Sequence, residues 1–245
     1  MTSLRKTIFL LTLFSIAMGF MESAVVIYLR ELYYPGGFKF PLVPIPPGIA
    51  LTEFLREAAT LIMLVTIGGI AGKNTTQRFC FFLFCFAVWD IFYYVFLKLF
   101  LGWPESLLTP DILFLIPVPW VGPVIAPCIA SLTMIVLMLL VVYYHKKNVF
   151  VSINRKEWFL LIIGTLAMIA AFTQDYFYYI SNNHTSAWNP SSEHKLFEEF
   201  LNYVPQSFNW ILFLAGELLL LTAIIYMRKR FFIWQRIERE NQTEV

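Results

Sequence analysis

Several ionisable side chains lie inside long apolar stretches of this sequence, where a charge is rare and usually serves a function. Glu22 and Asp90 each stand within such a stretch, and Glu217 stands near the middle of another. Carboxylates in a low-dielectric environment require a cation, a basic partner or a bound proton. The pattern therefore predicts a site for a cation or a cationic solute. The candidate binding residues are Glu22, Glu53, Arg56, Glu57, Asp90, Tyr94 and Glu217.

The spacing of these residues favours a shared cavity. Arg56 and Glu57 stand three and four positions after Glu53, so all three side chains project to one side of a helix. Asp90 and Tyr94 repeat this interval on another helix. If both polar stripes face inward, the helices enclose an acidic cavity that is lined with tyrosine and open to the outside.

We expect Glu22, Glu57 and Asp90 to converge on one cavity between helices 1, 2 and 3. Arg56 or Lys98 should lie near the mouth of this cavity. The alternative is purely structural, with internal ion pairs between Glu57 and Arg56 or between Asp90 and Lys98. Buried carboxyls that stay neutral are a further structural explanation.

Six apolar stretches are long enough to position these residues across a membrane. The composition is 59% hydrophobic and 14% charged, whereas a soluble domain carries about 25% charged residues. Crossing a bilayer core of about 30 Å takes roughly 20 residues. The predicted helices lie near 7–29, 50–71, 79–100, 124–144, 158–180 and 206–227. The predicted fold class is therefore all-α, a polytopic membrane protein with six transmembrane helices in a single integral membrane domain over 1–245.

The basic residues predict the orientation of these helices. If the N-terminus is cytoplasmic, most of the 18 Lys and Arg residues fall in inner loops and in the C-terminal segment. This distribution is the one that the positive-inside rule requires. Both termini are then cytoplasmic, most of the 16 Asp and Glu residues lie toward the outside, and the expected location is the cell inner (plasma) membrane.

Three segments have features of their own. Residues 111–123 carry Pro117, Pro119 and Pro123, which a regular helix cannot hold because each proline removes a backbone donor. We expect a proline-rich broken segment that dips into the outer leaflet before helix 4. The alternative is one long kinked helix with a structural role. Residues near 190–203 begin with Asn-Pro and place apolar side chains on one face, which predicts an interfacial amphipathic helix.

Gly68 and Gly72 form a small-xxx-small pattern, which indicates close packing of helix 2.

The residue types and motifs that are missing narrow the chemistry. None of the three His residues lies inside a predicted span, which argues against haem ligation by intramembrane histidines. The sequence has no Walker-type phosphate loop, no G-x-S-x-G motif and no G-x-G-x-x-G motif. The three Cys residues have no C-x-x-C spacing, which indicates packing residues and not a disulfide framework or zinc site. The sequence therefore identifies no catalytic residue, metal ligand or cofactor.

Three functions from different classes fit these observations. The first is a binding or transport protein with an outward-facing carboxylate-rich cavity for a cation or cationic solute. The second is an accessory subunit of a larger membrane complex, in which the ion pairs are structural. The third is a membrane-embedded enzyme that acts on a lipid or isoprenoid at the outer leaflet with Glu or Asp as general acid and base. The expected partners are the lipid bilayer, a cation or small-molecule ligand and other membrane proteins, but no nucleic acid.

The surroundings of the acids should discriminate these functions. A water-filled vestibule would favour the first, and a flat apolar face shared by two helices would favour the second. A tunnel from the lipid to Asp90 or Glu57 would favour the third.

Overall fold

The computed structural model describes residues 4–147, 149, 151–183 and 201–243. Within these residues, six helices are long and apolar enough to cross a membrane, as predicted for a multi-pass membrane protein. The helices are α1 (Leu4–Tyr33), α2 (Pro47–Ala71), α3 (Thr75–Leu101), α4 (Ile125–Lys146), α5 (Arg155–Asn183) and α6 (Trp210–Thr243). Two short strands, β1 (Pro110–Phe114) and β2 (Trp120–Pro123), lie between α3 and α4. The amphipathic helix expected near 190–203 lies, except for its last three positions, outside the described residues.

Local signals at the helix ends explain where several helices begin and stop. The side chain of Asn74 accepts a hydrogen bond from the backbone N–H of Gln77 at 2.9 Å, which caps the start of α3. Gly102 ends the same helix in the left-handed conformation, with φ of 68°. At the start of α5, Asn154 and Glu157 exchange side-chain to backbone hydrogen bonds of 2.9 and 2.8 Å, in the manner of a capping box.

The start of the last helix differs from the prediction. Helix 6 was expected from residue 206, but α6 begins at Trp210 and continues to Thr243. The backbone N–H groups of Gln206 and Ser207 donate to the Asp175 carboxylate at 3.0 and 3.2 Å, which holds these residues in a loop. Asn209 then caps the helix by accepting from the N–H of Leu212 at 3.0 Å.

The helices form two groups that meet along α4. α3 is central and packs against α1, α2 and α4, whereas α5 and α6 pack against each other along their length. Gly164 and Gly216 allow the backbones of α5 and α6 to approach, since a Cβ added to Gly164 would lie 2.8 Å from the Gly216 carbonyl oxygen. α4 contacts both α3 and α6, so it joins the two groups.

Two neighbouring glycines on α2 provide a matched test of this packing. A Cβ on Gly68 would lie 2.7 Å from the backbone nitrogen of Phe82 on α3, whereas a Cβ on Gly69 meets no atom within 4 Å. We expect Gly68→Ala to lower the free energy of unfolding by about 1–3 kcal/mol, because the two backbones must separate. Gly69→Ala should be neutral or stabilise by up to about 1 kcal/mol through helix propensity. Thermal unfolding in detergent measures both, and equal effects of the two substitutions would contradict this account.

The proline-rich segment forms an antiparallel hairpin. Asp111 lies opposite Gly122 and Ile112 opposite Val121 in the β1–β2 ladder, with a bulge before Phe114. Pro110 and Pro123 pair at the end of the ladder, where a missing backbone donor is tolerated. The described residues are mostly helical, as the predicted all-α fold requires. The β1–β2 hairpin is an addition that this prediction did not include. The depth of the hairpin in the bilayer stays a prediction.

Candidate functional site

A cavity of about 530 Å³ lies between α1, α2, α3 and the hairpin. All the candidate residues except Glu217 line it, so Glu22, Glu57 and Asp90 share one cavity as expected. Five carboxyl side chains and two guanidinium groups are part of the wall. They are Glu22, Glu53, Glu57, Asp90, Asp111, Arg30 and Arg56.

Arg56 bridges two of the carboxylates. Its Nε and Nη2 atoms donate to Glu53 Oε2 at 2.9 and 2.7 Å, and its Nη1 atom contacts the carboxylate of Glu22 on α1. The three side chains are partly buried. Arg56 therefore compensates Glu22 and Glu53, and the direct Arg56–Glu57 pair considered from the sequence does not form.

Glu57 is instead compensated by backbone donors of the hairpin. Its Oε2 atom accepts from the N–H of Leu115 at 2.9 Å, and its Oε1 atom accepts from the N–H of Ile116 at 3.1 Å. These two donors directly follow β1, in the turn between the two strands. Glu57 is buried, and its contacts fasten the hairpin to α2.

A third arrangement joins α1, α3 and β1. Arg30 Nη2 donates to Asp111 Oδ1 at 3.2 Å, and the Tyr94 hydroxyl donates to Asp111 Oδ2 at 3.2 Å. The Arg30 guanidinium also lies between the rings of Phe38 and Trp103, at 4.3 and 3.7 Å from their centres. Burial raises the pKa of Asp111 to about 6, against the opposing effect of the Arg30 guanidinium. These contacts of Asp111 fasten the start of β1 to α1 and α3.

The sequence-based site omitted Arg30 and Asp111. Arg30 stands near the end of α1. A basic residue at the end of a predicted membrane helix is usually taken to be solvated, so the sequence did not single it out. Its spacing of eight residues from Glu22 places both on one helix face, and this signal could have identified it. No comparable signal pairs Arg30 with Asp111, because the hairpin that presents Asp111 was not predicted.

Asp90 differs from the other acids of the cavity. Its Oδ2 atom accepts a hydrogen bond of 2.8 Å from the Ser131 hydroxyl on α4. Within the described residues, Asp90 has no ion pair and no backbone donor. Asp90 is the carboxyl side chain of this wall with the weakest compensation of its charge.

Lys98 is not among the residues that line the cavity, so Arg56 is the one of the two expected basic residues that lies there. Its Nζ atom donates to the backbone carbonyls of Gly102 and Pro104 at 2.9 and 2.8 Å. These carbonyls lack helical partners at the end of α3, and a lysine in the last turn satisfies them. The Asp90–Lys98 ion pair of the structural alternative is therefore absent.

Glu217 is not among the residues that line this cavity, and its predicted part in ligand binding stays a prediction. It is buried on α6 and accepts a hydrogen bond from the Thr133 hydroxyl on α4. Its Oε2 atom has no partner among the described residues. α6 packs against α5 and α4, so a side chain on it is held away from the α1–α2–α3 cavity.

Aromatic rings form much of the remaining cavity wall. Trp89, Tyr93 and Tyr94 come from α3, and Phe54 and Phe114 come from α2 and the hairpin. Ring faces attract cations, most strongly where water is excluded. The volume lies within the range of about 300–1,000 Å³ that is typical of sites for small organic molecules. Among the described residues, the site therefore combines an excess of carboxyl groups, aromatic side chains and room for a small molecule.

The chain matches no family model, no curated protein and no solved structure.

Proposed function

We propose that this multi-pass membrane protein binds and transports a small organic cation, such as a protonated amine, through the α1–α2–α3 cavity. One observation carries the proposal. Arg56, the hairpin N–H groups and Arg30 compensate the other carboxyl groups of the cavity, whereas among the described residues Asp90 has the Ser131 hydroxyl as its one hydrogen-bond partner. A bound ammonium group would supply the missing charge at Asp90.

The cavity also suits such a ligand by size and by wall chemistry. Among the described residues of its wall, carboxyl groups outnumber guanidinium groups by three, which favours a cation over an anion. Trp89 directly precedes Asp90 on α3 and Tyr93 follows it by three positions, and both line the same cavity, so aromatic rings accompany the carboxyl group there. A cation of molecular size would contact the carboxylate and the rings together.

The proposed orientation places this site on the outside of the cell inner (plasma) membrane. The basic loops at the opposite ends of the helices support cytoplasmic termini through the positive-inside rule. In this orientation the cavity collects its ligand from the outer side. Arg30 and Arg56 stay paired with carboxylates, so they oppose binding of a cation less than free guanidinium groups would.

A direct binding measurement tests the proposal. Purified protein in detergent is titrated with primary alkylammonium ions and with the neutral alcohols of the same chain length, by calorimetry. We expect the ammonium ions to bind at least about tenfold more tightly than the matched alcohols, a difference of about 1.4 kcal/mol. Uptake of the same ammonium ion into proteoliposomes then tests transport. Equal affinity for the charged and neutral compounds would contradict the proposal.

A membrane-embedded enzyme that acts on a lipid or isoprenoid is the second candidate. The observation that favours it is an apolar cavity that also borders Asp90. A carboxyl group between a polar and an apolar space could act as a general acid or base on an amphipathic substrate. Mass spectrometry of ligands recovered after incubation distinguishes the two functions, since a transporter returns its ligand chemically unchanged.

A further inference from the structure

A second cavity of about 260 Å³ lies between α3, α4, α5 and α6 and adjoins the first. Asp90, Leu113 and Phe114 line both cavities, so the two spaces meet at these three side chains. Phe114 is held at this junction by neighbouring rings, with its centre 5.8 Å from that of Phe86 and 5.6 Å from that of Trp120. The carboxyl group of Asp90 thus stands at the boundary between a polar and an apolar space.

The wall of the second cavity is almost entirely hydrocarbon. Phe82, Leu137, Met168 and Phe172 are among its lining residues. Its polar side chains include Ser131 and Thr133, whose hydroxyl groups are already engaged with Asp90 and Glu217. An apolar cavity of about 150 Å³ stays dry and binds benzene, so a larger one of the same character has room for an alkyl or aromatic group.

We propose that the ligand is an amphipathic amine, with its ammonium group at Asp90 in the first cavity and its hydrocarbon tail in the second. This inference rests on the proposed function, because it takes ammonium binding at Asp90 as its starting point. It adds the tail and the cavity that receives it. The shared residues support one continuous ligand, since an ammonium group that contacts Asp90 is already beside the apolar space.

The dependence of affinity on chain length tests the inference. Purified protein is titrated by calorimetry with alkylammonium ions from ethylammonium to octylammonium. We expect affinity to rise about fourfold for each added methylene until the tail fills the cavity, because each buried methylene contributes a constant increment. If ethylammonium binds but longer chains bind no better, the tail site is wrong and the proposed function stands. If no ammonium ion binds, the proposed function itself fails.

Variants of α4 separate the tail cavity from general partition into detergent. Ala130 lines the second cavity, whereas the Leu132 side chain on the same helix is 58% exposed. With Ala130→Phe, the affinity for alkylammonium ions should no longer rise with chain length. With Leu132→Phe, the affinity should rise with chain length as it does in the unchanged protein. Ala130→Leu is the smaller replacement if the phenylalanine prevents folding, and it should halt the rise at a shorter chain. Persistence of the full dependence in the folded Ala130 variants would overturn the inference.

A tightly held bilayer lipid is the competing occupant of the second cavity. Native mass spectrometry of the purified protein detects such a lipid. Loss of the lipid upon addition of octylammonium supports a shared site. A lipid that stays bound at saturating octylammonium would assign the cavity to an acyl chain and overturn the inference.

Discussion

Asp90→Asn should abolish binding of alkylammonium ions while the folded protein remains in the membrane. The asparagine keeps the shape of the side chain and can still accept the hydrogen bond from Ser131, so the packing of α3 against α4 is preserved. It removes the carboxylate charge that faces the ligand. Loss of one partner of a desolvated charge pair costs about 2–5 kcal/mol, which is a fall in affinity of at least about 30-fold.

Two control variants sharpen this prediction. Glu105→Gln removes a carboxylate from an exposed loop and should leave affinity unchanged. Ser131→Ala removes the hydrogen bond but retains the charge of Asp90, so it should have a smaller effect than Asp90→Asn. Calorimetry with one alkylammonium ion measures all three, and size-exclusion chromatography verifies the fold. Normal binding by Asp90→Asn would refute the cation site, and the accessory-subunit function would then lead.

The second large effect should come from the buried pair of Arg30 and Asp111. Both side chains are almost completely buried, with 7% and 2% of the residue exposed. Arg30→Leu leaves Asp111 without its cation in a low-dielectric environment, which should lower the free energy of unfolding by about 3–5 kcal/mol. The double variant Arg30→Leu with Asp111→Leu removes both charges and should recover part of this loss. Denaturant unfolding in detergent provides the measurement.

The effect of Arg30→Leu should depend on pH. Because burial raises the pKa of Asp111 to about 6, the folded protein holds this proton more tightly than the unfolded chain does. The protonated carboxyl needs no cation, so the loss of Arg30 should destabilise the protein less at about pH 5 than at about pH 8. Asp111→Leu in the Arg30→Leu background should remove this difference. A destabilisation of equal size at both pH values would show that Arg30 acts through its ring contacts and not through its charge.

The sequence alone determined the helices and part of the site. Hydropathy and length are local properties, so the six apolar stretches could be placed from the sequence within a few residues, except that α6 continues 16 residues beyond its predicted end at residue 227. Helical periodicity is also local, and it put Glu53, Arg56 and Glu57 on one side of α2 before any contact was known. The prediction that Glu22, Glu57 and Asp90 share a cavity rested on the rarity of charges in apolar helices.

Only the tertiary structure decided how each charge is compensated. Arg30 and Asp111 are 81 residues apart in sequence, and they meet because a hairpin folds back onto the end of α1. Glu57 takes its partners from the same hairpin, whose turn N–H groups carry no signal in the sequence. Glu217 is a glutamate in an apolar helix, like Glu22. However, α6 packs against α5 and α4, so Glu217 does not line the cavity between α1, α2 and α3. Periodicity determines which face of a helix a side chain occupies, whereas packing between helices determines what that face meets.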